Sequence, residues 1–203
     1  MAFDPLQQAV PGVQALEPYQ PGKPNETIER ELGIGQIVKL ASNENPRAPR
    51  SVIEAICKGT GDTVSRYPDG SGHALKEALA DKLGVASTQI TLGNGSNDVL
   101  ELLVKAYVGP GQGVVVSEHS FAVFSLAANA AGADLKTAPA ANWGHDLQAM
   151  RSLVDDNTKL IFVANPNNPT GTSVGLTELC QFLDSLPDTV ITVIDEAYFE
   201  YCE

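Results

Sequence analysis

Three short apolar runs, at 114–116 (VVV), 160–163 (LIFV) and 190–194 (VITVI), constrain this chain more than any other feature. Continuous runs of this length are what strands covered on both faces require. Segments with apolar residues at helical spacing separate them. In 96–108, for example, apolar side chains fall at 99, 100, 103, 104 and 107. Strands that alternate with helices build a mostly parallel sheet with helices on both faces. The expected fold is therefore α/β, a three-layer αβα sandwich. The spacing predicts helices over 51–59, 73–83, 96–108, 122–131, 147–154 and 176–186. It predicts strands over 89–92, 114–117, 135–138, 160–164 and 190–194.

Residues 1–50 differ in character. They are rich in Pro, Gly and Gln, with turn signals at 11–12 and 21–22 and the loop NENPRAP at 43–49. Too few apolar residues are present for a separate core, so this stretch reads as an arm lying on something else. The expected division is an N-terminal arm and small-domain segment over 1–50, then a larger domain over 51–203.

Charge excludes some functions. Thirteen Lys and Arg stand against 25 Asp and Glu, a net charge of −12, and no basic run appears. Such a chain has no electrostatic footprint for nucleic acid or an anionic membrane. Three scattered cysteines without a CxxC pair fit a reducing compartment and suggest neither a disulfide framework nor a zinc site. The N-terminus lacks a basic region followed by an apolar one, and the longest uncharged apolar stretch, 121–133, is too short to span a bilayer. A cytoplasmic protein with no metal is expected.

In parallel sheets ligands bind beyond the C-terminal strand ends, so the residues just after each strand carry the functional reading. The loop GNGSND (93–98) follows one strand and opens a helix. Gly95, Ser96 and Asn97 would offer N–H groups and a hydroxyl at the positive end of that helix, which suits a phosphate. Equally, Ser96 or Asn97 would serve as a simple helix cap. After the next strand comes SEHSF (117–121), where Phe121 offers an aromatic face to a planar ligand or to the core. The loop NPNNPTG (165–171) holds two Asn-Pro pairs and a Gly, more than a bland turn needs, and Asn168 has an amide to give a ligand oxygen. The last run ends in DEAY (195–198). Asp195 there suits a protonated ring nitrogen, a charge-assisted bond worth roughly 1.5–3 kcal/mol; an N-cap role is the plainer alternative.

A phosphate cradle, a stacking face, an amide donor and an acid for a ring nitrogen are the handles that pyridoxal phosphate uses. Through NPNNPTG and DEAY the sequence resembles the fold-type I pyridoxal-phosphate aminotransferases. Within that family LEPYQPGKP (16–24), KLASNENP (39–46), RYPDGSG (66–72) and GNGSND resemble the histidinol-phosphate aminotransferases. The resemblance runs from about residue 10 to the last residue.

The resemblance implies pyridoxal 5′-phosphate as cofactor, with Gly95, Ser96 and Asn97 on its phosphate and Phe121 on its ring. Asn168 and Tyr198 would bond the phenolic oxygen, and Asp195 the ring nitrogen. Tyr67 would reach the phosphate from the partner subunit of a homodimer, and Tyr19 and Asn43 would lie on the substrate side. The implied reaction passes the amino group of L-glutamate to imidazole acetol phosphate, giving L-histidinol phosphate and 2-oxoglutarate in histidine biosynthesis. The family usually has Asp where Asn97 stands and commonly Tyr where Phe121 stands. It also has a Gly-Pro-Ser-like turn where this chain reads RAPR (47–50). Its Schiff-base lysine lies in a Ser-Lys motif beyond DEAY. No catalytic residue is therefore assigned within these 203 residues, and the chain alone is expected to be inactive. Two other readings stay open from sequence: a phospho-amino-acid decarboxylase of the same fold, and a non-catalytic binding or assembly module.

Overall fold

The computed structural model describes residues 4–17, 22–59 and 64–202. Contacts divide the chain into two compact units, Met1–Glu17 with Thr91–Glu203, and Pro18–Ile90. The boundary expected at residue 50 falls inside the second of these.

The first unit begins with two one-turn helices, α1 (Pro5–Gln8) and α2 (Pro11–Gln14), each with Pro in its first turn. That position needs no N–H, so Pro is tolerated there. Asp4 caps α1 by accepting the Leu6 N–H at 3.0 Å.

The Pro18–Ile90 unit holds α3 (Asn25–Leu32), α4 (Arg50–Gly59) and α5 (His73–Leu83). The last two match the predicted helices closely. Among the described residues of this unit only Ala80 is buried, and the apolar side chains Val52, Ile53 and Ile56 of α4 stand exposed. The strand expected over 89–92 does not form. Ser87–Gln89 is a 3₁₀ turn, and Ile90 is extended but lies in no ladder. Extended backbone becomes a strand only when a neighbour takes its hydrogen bonds, and no described residue does so here.

The sheet unit continues with α6 (Gly95–Tyr107), β1 (Gly113–Ser117), α7 (Ala122–Ala130) and β2 (Asp134–Ala138). A small hairpin of β3 (Ala140–Ala141) and β4 (Gly144–His145) follows, then α8 (Leu147–Ser152), β5 (Thr158–Ala164), α9 (Leu176–Asp184) and β6 (Ile191–Asp195). The hairpin has no sequence counterpart above. Its turn places Asn142 and Trp143 at φ 50° and 64°, the left-handed pair of a two-residue hairpin turn usually made with Gly.

Alternation along the strands sorts the core into two layers. Val114, Val116, Leu160 and Phe162 face one side, with Leu100 and Val104 of α6 and Phe124 and Ala128 of α7. Val115, Ile161 and Val163 face the other, with Leu147 and Met150 of α8 and Leu179 and Phe182 of α9. This is the expected three-layer αβα arrangement. In β6 no residue is fully buried, and among the described residues it has a ladder partner on one side only, β5.

The four strands are parallel and run in the order β2-β1-β5-β6. From β1 the chain steps one way to β2, then returns past β1 to β5 and β6. The crossover helices change face with the change of direction, as a constant crossing hand requires. The reversal lies between β1 and β5. Their pairing is confined to Gly113–Val115 against Thr158–Ile161, whereas β1 stays with β2 to Ser117↔Ala138 and β5 with β6 to Ala164↔Asp195. The β1–β5 seam therefore opens at its C-terminal end, which is where doubly wound sheets take ligands.

Candidate functional site

A cleft lies at these strand ends. Ser96, Phe121, Asn168, Asp195 and Tyr198 line it, together with Ala164, Pro166 and Ala197. Five residues picked from four separate sequence segments thus share one cavity.

Helix α6 points its first turn at this cleft. Asn94 occupies the N-cap position but makes no side-chain cap bond, so Ser96 and Asn97 lie inside the first turn and do not cap it. Gly95 has φ +77°, a conformation that strains any residue with a Cβ. The Asp98 carboxylate accepts the Asn94 N–H at 3.1 Å and holds the entering loop. First-turn N–H groups have no partner within a helix, and with the Ser96 hydroxyl they form a donor set suited to an anion.

The core fixes the aromatic wall. Phe121 sits just before α7, its ring edge-on to Phe124 at 5.8 Å and 89°. Phe124 in turn stacks on Phe162 of β5 at 4.7 Å.

The NPNNPTG loop divides its labour. Asn165 closes the loop with both ends of its amide: Nδ2 donates to the Val174 carbonyl at 3.1 Å, and Oδ1 accepts the Val174 N–H at 2.8 Å. Asn167 is 3% exposed. Its Nδ2 donates to the His119 carbonyl at 2.9 Å and to Thr170 Oγ1 at 2.7 Å. Asn168, the residue singled out from sequence, is the one that lines the cleft. Both Asn-Pro peptides are cis.

Asp195 ends β6 half-buried. Its Oδ1 accepts the Ala197 N–H at 3.1 Å, so it does support the turn after the strand while also lining the cleft.

Gly95, Asn97, Asn43 and Tyr67 are not among the residues lining the cleft. Gly95 and Asn97 flank Ser96 in the same helical turn. Asn43 (φ 51°) and the fully exposed Tyr67 belong to the Pro18–Ile90 unit. Tyr19 lies outside the described residues.

Sequence reasoning missed His145. It is 9% exposed, and its Nε2 lies 2.8 Å from the carbonyl oxygen of Ala164, a residue of the cleft wall. Burial pushes its pKa below the ordinary histidine value, with the Ala164 carbonyl pulling the other way. No motif marks it; only the hairpin brings it to β5.

Comparison with known proteins decides the family. The family model "Aminotransferase class I and II" matches residues 35–203. The chain belongs to the aminotransferase class I and II family. Among its relatives, Histidinol-phosphate aminotransferase 2 of Pseudomonas fluorescens is 52% identical over 205 residues, covering 100% of this chain and 55% of the relative. Its namesake from Methylococcus capsulatus is 55% identical over 200 residues, 95% of this chain and 54% of the relative. The crystal structure of histidinol-phosphate aminotransferase from Sinorhizobium meliloti in complex with pyridoxal-5′-phosphate superposes with a TM-score of 0.87 at 32% identity. It covers all of this chain and 53% of that one. The chain spans about half the length of the relatives it matches.

Proposed function

We propose that this chain is the N-terminal, cofactor-binding part of a histidinol-phosphate aminotransferase. The full-length protein would transfer the amino group of L-glutamate to imidazole acetol phosphate, giving L-histidinol phosphate and 2-oxoglutarate in histidine biosynthesis. One observation carries this: Ser96, Phe121, Asn168, Asp195 and Tyr198 line a single cleft at the switch point of the sheet. The relatives at 52% and 55% identity supply the substrate class.

The donor set fits pyridoxal 5′-phosphate. The first turn of α6 would hold the phosphate through Gly95, Ser96 and Asn97; backbone dipoles do this work, so the acidic net charge is no obstacle. Phe121 would cover the ring. Asn168 and Tyr198 would donate to the phenolic oxygen, and the Asp195 carboxylate would hold the proton on the ring nitrogen. When bound, the cofactor supplies a carbonyl carbon that carries the amino group and a cationic ring that draws electrons from the substrate Cα. Asp195 matters because a proton kept on that nitrogen keeps the ring cationic.

Further parts of the reading concern the complete protein. Tyr67 of a second copy would reach the phosphate in a homodimer, and Tyr19 and Asn43 would face the substrate. Residues 1–50 would form the arm and small-domain segment, and 51–203 the N-terminal part of the large domain. A cytoplasmic location fits a biosynthetic enzyme acting on soluble metabolites, and no helix of the described residues is long and apolar enough to cross a membrane.

The test is product analysis of the full-length protein with L-glutamate and imidazole acetol phosphate. Formation of L-histidinol phosphate and 2-oxoglutarate in equal amounts is expected. Release of CO₂ from a phospho-amino acid without transfer would overturn the assignment.

A further inference from the structure

The open seam of the sheet leaves a backbone problem that one side chain solves. Because β1 pairs with β5 only as far as Ile161, the last residues of β5 have no ladder partner on the β1 side. A buried carbonyl without a donor is costly. The hairpin β3–β4 supplies one by placing His145 against the end of β5, with Nε2 2.8 Å from the Ala164 oxygen. A carbonyl only accepts, so Nε2 must carry the proton and the tautomer is fixed. Nδ1 is then an unprotonated, buried acceptor that no described group reaches. The imidazole is held by this one bond and by packing.

Ala164 occupies a junction. It lines the cleft, it stands opposite Asp195 in the β5–β6 register, and the next residue, Asn165, donates its N–H to the Asp195 carbonyl at 2.9 Å. Asn168 follows four residues after Ala164 in the same rigid loop. The position of the Ala164 peptide therefore sets two walls of the cleft together.

We propose that His145 is a positioning residue of the cleft: its Nε2–H, held on the Ala164 carbonyl, fixes the end of β5 and thereby the placement of Asp195 and Asn168. The proposal rests on the cofactor reading above only for the choice of ligand in one arm of its test. The side chain touches no ligand itself. A glutamine at the same place has an amide nitrogen as far from its Cβ as Nε2 is in histidine and keeps the donor, whereas leucine keeps bulk and loses it.

The experiment compares full-length wild type with H145Q and H145L in three measurements. Nitrogen-15 NMR of the ring in wild type should find the proton on Nε2; a proton on Nδ1 instead overturns the proposal, and this arm needs no variant to fold. Hydrogen exchange at the Asn165 amide should quicken in H145L by about tenfold, the weight of roughly one net hydrogen bond, and stay near wild type in H145Q. Titration with pyridoxal 5′-phosphate should show affinity about tenfold weaker in H145L and restored in H145Q. Equal loss in both variants, or wild-type binding and exchange in H145L, overturns it. Should H145L not fold, retention of exchange and affinity by H145Q, with the tautomer, decides the matter. Failure of wild type itself to bind the cofactor would sink the proposed function, while the tautomer and exchange measurements would still judge His145.

Discussion

The N–H of Asn165 donates to the carbonyl oxygen of Asp195 at 2.9 Å, so the first residue of the NPNNPTG loop is tied to the last residue of β6. Two motifs 30 residues apart thereby act as one rigid edge of the cleft. The asparagine side chain is spent on closing its own loop at Val174, and its backbone on locating the acid. An acid for a ring nitrogen and an amide for a ring oxygen must keep a fixed separation, and this link supplies it.

Replacing Asp195 by Ala in the full-length protein should reduce turnover far more than cofactor retention. The phosphate and ring contacts proposed for α6 and Phe121 remain, whereas the group holding the ring nitrogen is lost. A charge-assisted bond of roughly 1.5–3 kcal/mol sets the loss of cofactor affinity at no more than about 10- to 150-fold. Steady-state turnover at saturating cofactor, compared with equilibrium binding, separates the two effects. Near-normal turnover would mean that Asp195 serves only as the cap of the turn at Ala197.

Asn167 and Asn168 are neighbours with opposite fates. Asn167→Ala removes a buried side chain and leaves the part-buried His119 carbonyl without its donor, which should lower unfolding stability by about 1–3 kcal/mol. Asn168→Ala removes a partly exposed cleft side chain and should change stability by less than about 0.5 kcal/mol while weakening ligand binding. Urea unfolding of both variants checks the pair; equal losses would show that the loop does not divide its work in this way.

Among the described residues no lysine lines the cleft. A carbonyl cofactor bound by these 203 residues alone is therefore held by hydrogen bonds, since covalent capture needs a placed amine. Mass spectrometry after borohydride treatment of the chain with pyridoxal 5′-phosphate should find no cofactor fixed in the cleft. A reduced adduct on a specific lysine that forms at stoichiometric cofactor would refute this.

How much of this was readable from sequence depends on what each residue's role requires. The strands β1 and β5 were legible because VVV and LIFV are buried on both faces, and α5 because its apolar period and the glycines at 72 and 84 bracket it. Phe121, Asn168, Asp195 and Tyr198 were legible because each follows an apolar run, and parallel topology gathers such positions at one edge; Ser96 was legible from GNGSND opening a helix, although no strand precedes it. The segment 89–92 misled because extended propensity does not supply a ladder partner. The hairpin at 140–145 was invisible, since its strands have two residues each and its turn uses Asn142 and Trp143 where a glycine would have been the signal. His145 was invisible for a further reason: its importance lies in a carbonyl left open by the parting of two strands, which no local pattern records.

At the opposite, N-terminal end of the sheet, Lys136 makes an ion pair with Asp155 at 2.5 Å, and Asp155 also accepts from Thr158 Oγ1 at 2.9 Å. These bonds lower the Asp155 carboxyl from its ordinary 3.8 to about 2, with the Lys136 bond the larger cause. A folded-state value below the unfolded one means that the contribution to stability is complete above about pH 4 and fades as pH falls towards 2. Asp155 is solvent-exposed, so the effect is screened and its size should shrink as salt rises. K136M keeps the stem of the side chain and removes the charge; its stability should fall less steeply than wild type over that acid window and match the wild-type slope above it. Urea midpoints measured at intervals from pH 5 to pH 2 decide the point, as two curves that stay parallel throughout would show that Lys136 does not set the titration of Asp155.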